Sequence, residues 1–255
     1  MALSPLSSFD GHARAAFATA PLETDPFPHM VVPDVFPEAD YRKALAALPA
    51  AQEWVDAGRH RVNWEIATDQ ASESTTQVWH YIDREVAPQV LKPLLLDRFR
   101  PPLSAYWRER GFDPLEVERT YYCDEGRLML RRPGYKLTPH LDPGHAVLTI
   151  LIYLARPGDD ERFGTDLYRA TGLPRIHKDI FKAAEHGIAH ELVKTVPFRA
   201  NTLLAFMTPV GLHGAAFPES AAFERVTYQW QVRIDKAMRK QMLVREGLLS
   251  SSSQP

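Results

Sequence analysis

Short runs of β-branched and aromatic residues follow one another along the second half of the chain. From about residue 117 onward, each run is separated from the next by turn residues. Several short strands at this spacing are typical of a sandwich or a barrel, so we predict a β-rich core over residues 117–235. The runs are VERTYYC, RLMLRR, AVLTILIYLA, TDLYRA, HELVKTVPF, NTLLAFM and RVTYQWQVRI.

The first half of the chain has the apolar spacing of amphipathic helices, which predicts a helical layer over residues 37–115. A short strand over residues 27–36 is expected to precede it. Prolines are expected to end or kink these helices. The predicted helices are one ended by Pro49, a second that begins near Ser72 and that Pro88 and Pro93 kink or divide, and a third over 101–110 that stops at Gly111.

The composition changes along the chain without an intervening linker, which favours one domain over residues 26–235. Residues 1–25 are small, polar and aperiodic, and we expect a flexible N-terminal arm. Residues 236–255 are expected to form a C-terminal helix followed by a disordered tail. An insertion at 170–189 interrupts the strands, and its middle is expected to form one helix that ends at Gly187.

The overall charge and the absence of apolar spans exclude several classes of function. The formal net charge is −2, which disfavours binding to nucleic acid or to an anionic membrane. The start MALSPLSSFD lacks the features of a signal peptide, and the apolar run AVLTILIYLA is about half of a membrane span. A single cysteine, Cys123, cannot form an internal disulfide. We therefore expect a cytoplasmic protein in a reducing compartment where a ferrous ion persists.

The segment TPHLDPGH, residues 138–145, carries two histidines and an aspartate. Because residues i and i+2 of a strand face the same side, His140 and Asp142 can converge on one metal ion, whereas His145 lies beyond a Pro-Gly turn. The best candidate for a further ligand is His213, which follows the apolar strand NTLLAF. Two histidines and one carboxylate form the facial set that non-haem Fe(II) oxygenases use.

A second pair follows the metal-ligand candidates. Arg225 and Thr227 are again i and i+2 on a strand, so a guanidinium and a hydroxyl share one face. This pair suits the far carboxylate of a dicarboxylate cosubstrate. Taken alone, the pair would more often face solvent on an edge strand; the two metal half-motifs favour the cosubstrate site.

Other ligand sets lead to different functions. A zinc-dependent hydrolase would use His145 as the third ligand of HLDPGH, and a non-enzymatic jelly-roll module would bind metal without turnover. His186 and His190 are four residues apart, but Gly187 occupies the position where a zinc protease needs glutamate. The helical zinc motif is therefore excluded.

Taken together, these residues resemble the 2-oxoglutarate- and Fe(II)-dependent dioxygenases, in particular their prolyl 4-hydroxylase-like branch. The resemblance covers roughly residues 26–235 and implies a mainly β fold, a double-stranded β-helix (jelly roll) core with a helical N-terminal layer. It implies Fe(II), 2-oxoglutarate and O2, with His140, Asp142 and His213 as the catalytic metal ligands. The matching pieces, in the family's order, are HLD, LTILIYL, GTDLY, PFRANTLLAF, LHG and RVT, after the opening PFPHMVVPDVFPEADYRKALAALP.

The resemblance also implies a cosubstrate site and a reaction. Arg225 would pair with the C5 carboxylate of 2-oxoglutarate, assisted by Thr227 and by the Tyr153 hydroxyl; a core tyrosine is the alternative for Tyr153. The family often has Gly-Gly before its acidic residue, where this chain has Gly164-Thr165-Asp166. Related halogenases replace the carboxylate ligand by a small residue, so Asp142 favours hydroxylation or another oxidation, with succinate and CO2 as co-products.

The sequence indicates the substrate and the assembly only coarsely. A small molecule and an amino-acid residue of a protein both fit as substrate, and nothing indicates the oligomeric state. We expect residues 157–190 and 54–70 to flank the mouth of the site. The substrate-recognition candidates there are Trp54, Arg61 and Trp64.

Overall fold

The computed structural model describes residues 2–57, 61–65 and 72–250. Most helical residues lie in the first half, as the apolar spacing predicted. Among the described residues, no helix combines the length and apolar character needed to cross a membrane. The helices are Leu6–Thr19 (α1), Glu38–Ala46 (α2), Glu73–Tyr81 (α3), Lys92–Glu109 (α4), Pro114–Glu118 (α5) and Lys236–Arg245 (α6), with a π-helical segment, Ile82–Leu91, between α3 and α4 and short 3-10 turns at Ala51–Glu53 and Ala183–His186.

The helical chain that begins after Ser72 is longer than predicted. Ser72 caps α3 by accepting a hydrogen bond from the Thr75 backbone N–H, as expected near that residue. Pro88 does not divide the helix, because the chain widens into the π-helical segment around it and continues into α4. A proline has no N–H to donate, and a wider turn accommodates its ring. The stop at Gly111 is confirmed, with φ of +73°.

The strands form two antiparallel sheets. The larger, nine-stranded sheet has the order β1-β2-β12-β8-β14-β6-β4-β3, with β5 also paired to β14. The smaller, five-stranded sheet has the order β10-β7-β13-β9-β11. The strands are Leu22–Glu23 (β1), His29–Val32 (β2), Val55–Asp56 (β3), Arg61–Glu65 (β4), Tyr122–Cys123 (β5), Arg127–Arg131 (β6), Lys136–Leu141 (β7), Ala146–Tyr153 (β8), Thr165–Ala170 (β9), Phe181–Lys182 (β10), His190–Val196 (β11), Thr202–Met207 (β12), His213–Ala216 (β13) and Arg225–Arg233 (β14).

The predicted jelly-roll core is confirmed. Strands β6, β14, β8 and β12 are neighbours in the larger sheet, and β7, β13, β9 and β11 are neighbours in the smaller one. From β6 to β9, and again from β11 to β14, each strand lies in the other sheet from the one before it, which is the double-stranded β-helix arrangement. The N-terminal strands extend the larger sheet at both edges, β1 and β2 beside β12 and β3 and β4 beside β6.

The strands of the larger sheet divide their side chains between the helical layer and the inside of the core. On β14, Tyr228 and Trp230 belong to the apolar cluster that the helices complete, and the Tyr228 ring lies 5.5 Å from that of Trp79 in α3. The alternate residues Arg225 and Thr227 line an internal cavity. The period of two thus separates a packed outer face from a polar inner face.

The prediction of a flexible N-terminal arm is wrong for residues 6–19. They form α1, which buries Phe9, Ala13 and Phe17. The Phe9 ring packs edge-on against Phe36, with 5.6 Å between the centroids. Three apolar residues at helical spacing are sufficient to fix this helix, although the residues between them are small and polar.

Three further predictions meet the structure with different results. Within the predicted helical layer, β3 and β4 are strands that extend the larger sheet, because β4 pairs with β6. The insertion at 170–189 forms β10 and a single 3-10 turn rather than one helix, although Gly187 ends that turn with φ of +64°. The C-terminal helix is present as α6, and residues 251–255 of the predicted tail lie outside the described residues.

Candidate metal centre and cosubstrate cavity

The segment TPHLDPGH places its candidate ligands at the end of β7. His140 lies within β7, and Asp142 follows the strand's last residue. The register partner of His140 on β13 is His213. Pairing of these two strands brings the imidazole ring centroids to 4.3 Å from each other. The fold therefore joins the three residues that the sequence singled out.

The three side chains form a compact donor cluster. One ligand atom from each of His140, Asp142 and His213 lies within 4.8 Å of the others, and all three residues are buried. Nε2 of His140 is 3.3 Å from Oδ1 of Asp142, and Nε2 of His213 is 3.9 Å from Oδ2. The third member of the cluster is His213, and His145 is not part of it.

Backbone carbonyl groups fix the tautomer of both histidines. Nδ1 of His140 is 3.0 Å from the carbonyl oxygen of Thr138, and Nδ1 of His213 is 2.9 Å from that of Gly211. Because a carbonyl oxygen only accepts, each Nδ1 carries the proton and donates it. Both Nε2 lone pairs are then available to a metal ion.

The charge states of the cluster suit a divalent metal. Burial, followed by repulsion from His140, lowers the pKa of His213 to about 4, so this imidazole is neutral at pH 7. Burial alone would raise the pKa of Asp142, but His213, His140 and the Thr149 hydroxyl together hold it well below its usual range. An anionic oxygen and neutral imidazoles are the donor set that Fe(II) takes in non-haem sites.

Arg225 and Thr227 line the same internal cavity as the donor cluster. Only 5% of Arg225 is exposed, and its Nη2 donates a 3.0 Å hydrogen bond to Oγ1 of Thr165. Among the described residues its buried Nε has no hydrogen-bond partner. A buried cation with an unused donor is suited to an anionic ligand, because a buried charge without a hydrogen-bond partner is costly in free energy.

Tyr153 lies next to the cavity but does not line it. The residue is fully buried and its hydroxyl donates a 2.8 Å hydrogen bond to Oγ1 of Thr165. Thr165 lines the cavity, whereas Tyr153 is not among the described lining residues. The structure therefore connects Tyr153 to the cavity through Thr165, and a contact of Tyr153 with a cosubstrate stays a prediction. Thr165 occupies the position where the resembling family often has a second glycine.

The insertion at 170–189 closes one side of the cavity. Strand β10 pairs with the end of β7, with Lys182 opposite His140, and Ile180 lies at the cavity wall. The insertion also passes so close to the Pro-Gly turn that a Cβ on Gly144 would lie 2.0 Å from the carbonyl oxygen of His177. This approach requires glycine after Pro143.

The candidates for substrate recognition separate. Arg61 lines the cavity. Trp54 does not, because its Nε1 donates a 3.1 Å hydrogen bond to the Pro49 carbonyl and its ring packs on the apolar core. The side chain of Trp64, with residues 58–60 and 66–71, lies outside the described residues.

The sequence did not indicate several further residues that contact the donor cluster or line the cavity. Gln231 donates a 3.0 Å hydrogen bond to Oδ2 of Asp142, and Arg127 and Arg131 line the cavity on β6. The alternation that starts at Arg225 and Thr227 continues through Gln229 and Gln231, and this signal could have identified the glutamines. The arginines of β6 required knowledge of the strand pairing.

No protein-family model matches the chain, and a search of curated proteins finds no match. Among solved structures, the non-haem α-ketoglutarate dependent epimerase SnoN from nogalamycin biosynthesis aligns with a TM-score of 0.51 and 14% identity, over 90% of this chain and 82% of SnoN. AviO1 from Streptomyces viridochromogenes Tue57 aligns with a TM-score of 0.50 and 14% identity, over 88% and 96%. A Pseudomonas putida prolyl-4-hydroxylase gives 0.46 and 18%, over 89% and 99%.

At these identities the likenesses concern the fold. The resemblance that the sequence predicted is confirmed at that level, and the assignment to the prolyl 4-hydroxylase-like branch stays a prediction. The chain has the jelly-roll fold that it shares with SnoN, a non-haem α-ketoglutarate dependent epimerase.

Proposed function

We propose that the chain is a 2-oxoglutarate- and Fe(II)-dependent dioxygenase that hydroxylates a C–H bond of a small molecule or of an amino-acid residue. Succinate and CO2 would be the co-products. The observation that carries the proposal is one cavity with a buried donor cluster, His140, Asp142 and His213, and a buried arginine, Arg225, whose Nε lacks a partner. The proposal is supported by the fold that the chain shares with SnoN, a non-haem α-ketoglutarate dependent epimerase.

The donor cluster would hold Fe(II). His140 and His213 would bind through Nε2, because their Nδ1 protons are committed to backbone carbonyls. Asp142 would supply the anionic ligand. When bound, Fe(II) supplies the chemistry that couples oxidative decarboxylation of 2-oxoglutarate by O2 to oxidation of a substrate C–H bond.

The other residues that line the cavity would orient the cosubstrate and exclude water. Arg225 would donate to the C5 carboxylate from its unpartnered Nε, and Thr227, two residues along the same strand face, would assist. The apolar side chains of Leu151, Met129 and Ile180 complete the cavity. Their role would be to exclude bulk water from the reacting groups.

Anaerobic titration with Fe(II) and 2-oxoglutarate tests the proposal. We expect a metal-to-ligand charge-transfer band with the wild type, no band with His140→Ala, and a band that needs at least about tenfold more cosubstrate with Arg225→Ala. His145→Ala, a histidine outside the cluster, should behave as the wild type. A normal band in His140→Ala would refute the ligand assignment.

Aerobic turnover separates an enzyme from a binding module. With Fe(II), 2-oxoglutarate and O2 we expect slow succinate release even without the primary substrate, and none from Asp142→Ala. A non-enzymatic metal-binding jelly roll would form the complex yet release no succinate under any condition. That result would limit the proposal to binding.

A further inference from the structure

Three arginines stand in one row on the inner face of the larger sheet. Arg131 on β6 is the register partner of Arg225 on β14 and of Arg61 on β4. Arg127 lies four residues before Arg131 on β6, so it projects to the same face, opposite Gln229. All four arginines line the cavity that contains the donor cluster. The cavity is therefore strongly cationic although the whole chain carries a net charge of −2.

The negative charges of the metal ligand and the cosubstrate are too few to neutralise the four arginines that line the cavity. Among the described residues that line the cavity, Asp142 is the acidic one. Asp142 and the metal-bound carboxylate of 2-oxoglutarate would offset the charge of Fe(II), and the C5 carboxylate would offset Arg225. Among the carboxylates whose side chains the structure describes, none forms an ion pair within 4.0 Å with Arg61, Arg127 or Arg131; the side chain of Glu65, which is opposite Arg127 on β4, lies outside the described residues. We call Arg61, Arg127 and Arg131 the arginine wall; Arg225, the proposed cosubstrate residue, is not part of it.

The arginine wall is held in place by neutral oxygens. Nη1 of Arg131 donates to the carbonyl oxygens of Val62 and Leu130, both at 3.1 Å, and to Oδ1 of Asn63 at 2.9 Å. Nε and Nη2 of Arg127 donate to Oε1 of Gln229 at 3.0 and 2.8 Å. These bonds orient the guanidinium groups without neutralising them.

Burial makes the missing counter-charge costly for Arg131, whereas Arg61 and Arg127 are exposed. Only 8% of Arg131 is exposed, and its guanidinium carbon lies 5.1 Å from the centroid of the Tyr135 ring. A guanidinium that is removed from water without an anion loses solvation that neutral acceptors restore only in part. An anionic ligand recovers it through charge-assisted and often bidentate hydrogen bonds.

We propose that the primary substrate carries an anionic group, a carboxylate or a phosphate, that binds to the arginine wall while its reacting C–H bond faces the donor cluster. This inference rests on the proposed function. Arg131 is opposite Arg225 on the neighbouring strand, whereas Arg127 lies four residues along β6, opposite Gln229. An anion held by Arg127 and Arg131 would therefore lie beside the cosubstrate, farther along β6.

Matched pairs of small probes test the inference without turnover. Acetate is compared with acetamide, and methyl phosphate with methanol, by saturation-transfer NMR of their methyl signals. The protein is loaded with Zn(II) and 2-oxoglutarate, which avoids paramagnetism. We expect each anion to bind at least about tenfold more tightly than its neutral twin, and the preference to disappear in Arg127→Gln/Arg131→Gln. The tighter of the two anions distinguishes a carboxylate from a phosphate substrate.

Arg132→Gln is the matched control, because Arg132 is adjacent in sequence, exposed, and paired with Glu224 at 3.3 Å. It should retain the preference. Equal binding of anionic and neutral twins by the wild type would overturn the inference, as would equal losses in Arg132→Gln and the double variant. A preference that survives in the double variant but not in Arg225→Gln would assign the anion to the cosubstrate arginine and also overturn it.

The Fe(II)–2-oxoglutarate band separates this inference from the proposed function. We expect Arg127→Gln/Arg131→Gln to form the band as the wild type does. Loss of the band in the double variant, with unchanged probe binding, would assign Arg131 to the cosubstrate and refute the arginine wall. If the wild type forms no band, the proposed function fails, whereas an anion preference that depends on Arg127 and Arg131 still supports an anionic ligand.

Discussion

The hydroxyl of Thr149 donates a 2.7 Å hydrogen bond to Oδ2 of Asp142. Gln231 donates to the same oxygen at 3.0 Å, and the hydroxyls of Thr149 and Thr208 lie 3.0 Å apart. Thr149 and Gln231 belong to the larger sheet, whereas Asp142 follows a strand of the smaller one. The carboxylate of the donor cluster is therefore held from across the core.

Removing these donors should weaken metal binding without unfolding the protein. Because partners of a ligating carboxylate fix its orientation, we expect Thr149→Val and Gln231→Leu each to lower Fe(II) affinity about 10- to 100-fold in an anaerobic titration. Thr202→Val is the control, since its hydroxyl contacts the Ala200 carbonyl instead. Wild-type affinity in both variants would show that the network does not position Asp142.

Thr165 should matter more to the cosubstrate than Tyr153. Its hydroxyl accepts from both Arg225 and Tyr153, so Thr165→Val leaves a buried guanidinium with one partner fewer. We expect the 2-oxoglutarate concentration at half-saturation of the charge-transfer band to rise about tenfold in Thr165→Val and only about twofold in Tyr153→Phe.

The control for that comparison is Thr195→Val, whose hydroxyl donates to Asp166 on the neighbouring strand pair. It should bind 2-oxoglutarate as the wild type does. A larger effect of Tyr153→Phe than of Thr165→Val would mean that the tyrosine hydroxyl contacts the cosubstrate directly, as the sequence resemblance implied.

The donor cluster could be predicted because strand geometry constrains it. His140 and Asp142 share a face through the i, i+2 rule, and a histidine after a later apolar strand is the natural third ligand. The same rule paired Arg225 with Thr227. These predictions needed only the local period of the chain, together with the order of the strands in the resembling family.

The other residues that line the cavity could not be predicted, because their positions depend on the register between strands that are far apart in sequence. Arg131 joins Arg225 only because β6 pairs with β14, and Arg61 joins them only because residues 61–65 form a strand that pairs with β6. Likewise, Thr165 meets Tyr153 across the two sheets. Periodicity within one segment carries no information on such contacts.

The N-terminal helix should stabilise the fold without contributing to the metal centre. Phe9 is 1% exposed and packs against Phe36 and Tyr81, so Phe9→Ala should lower the free energy of unfolding by about 3–5 kcal/mol. Chemical denaturation measures this loss, and the Fe(II) affinity should stay unchanged. Arg14→Ala, on the exposed face of α1, should leave the free energy of unfolding nearly unchanged. Equal losses would contradict the packing of α1.

His145 should make the metal-free protein less stable in acid. Burial, with the charges of Arg233 and Arg239, lowers its pKa from 6.5 to about 4. Between those two pH values the unfolded chain binds a proton at this histidine that the folded chain does not, so stability falls as the pH falls through this window. Denaturation at pH 7.5, 6 and 5 should show a shallower decline in His145→Gln than in the wild type.

Arg239→Gln provides an independent check on the cause of that decline. Loss of one nearby positive charge should raise the pKa of His145 towards its ordinary value and lessen the decline in the same direction as His145→Gln, though to a smaller extent. Because His29 and His177 are also buried with lowered pKa values, some decline should remain in both variants. Identical pH dependence in the wild type and His145→Gln would show that this histidine is protonated equally in the folded and unfolded chains.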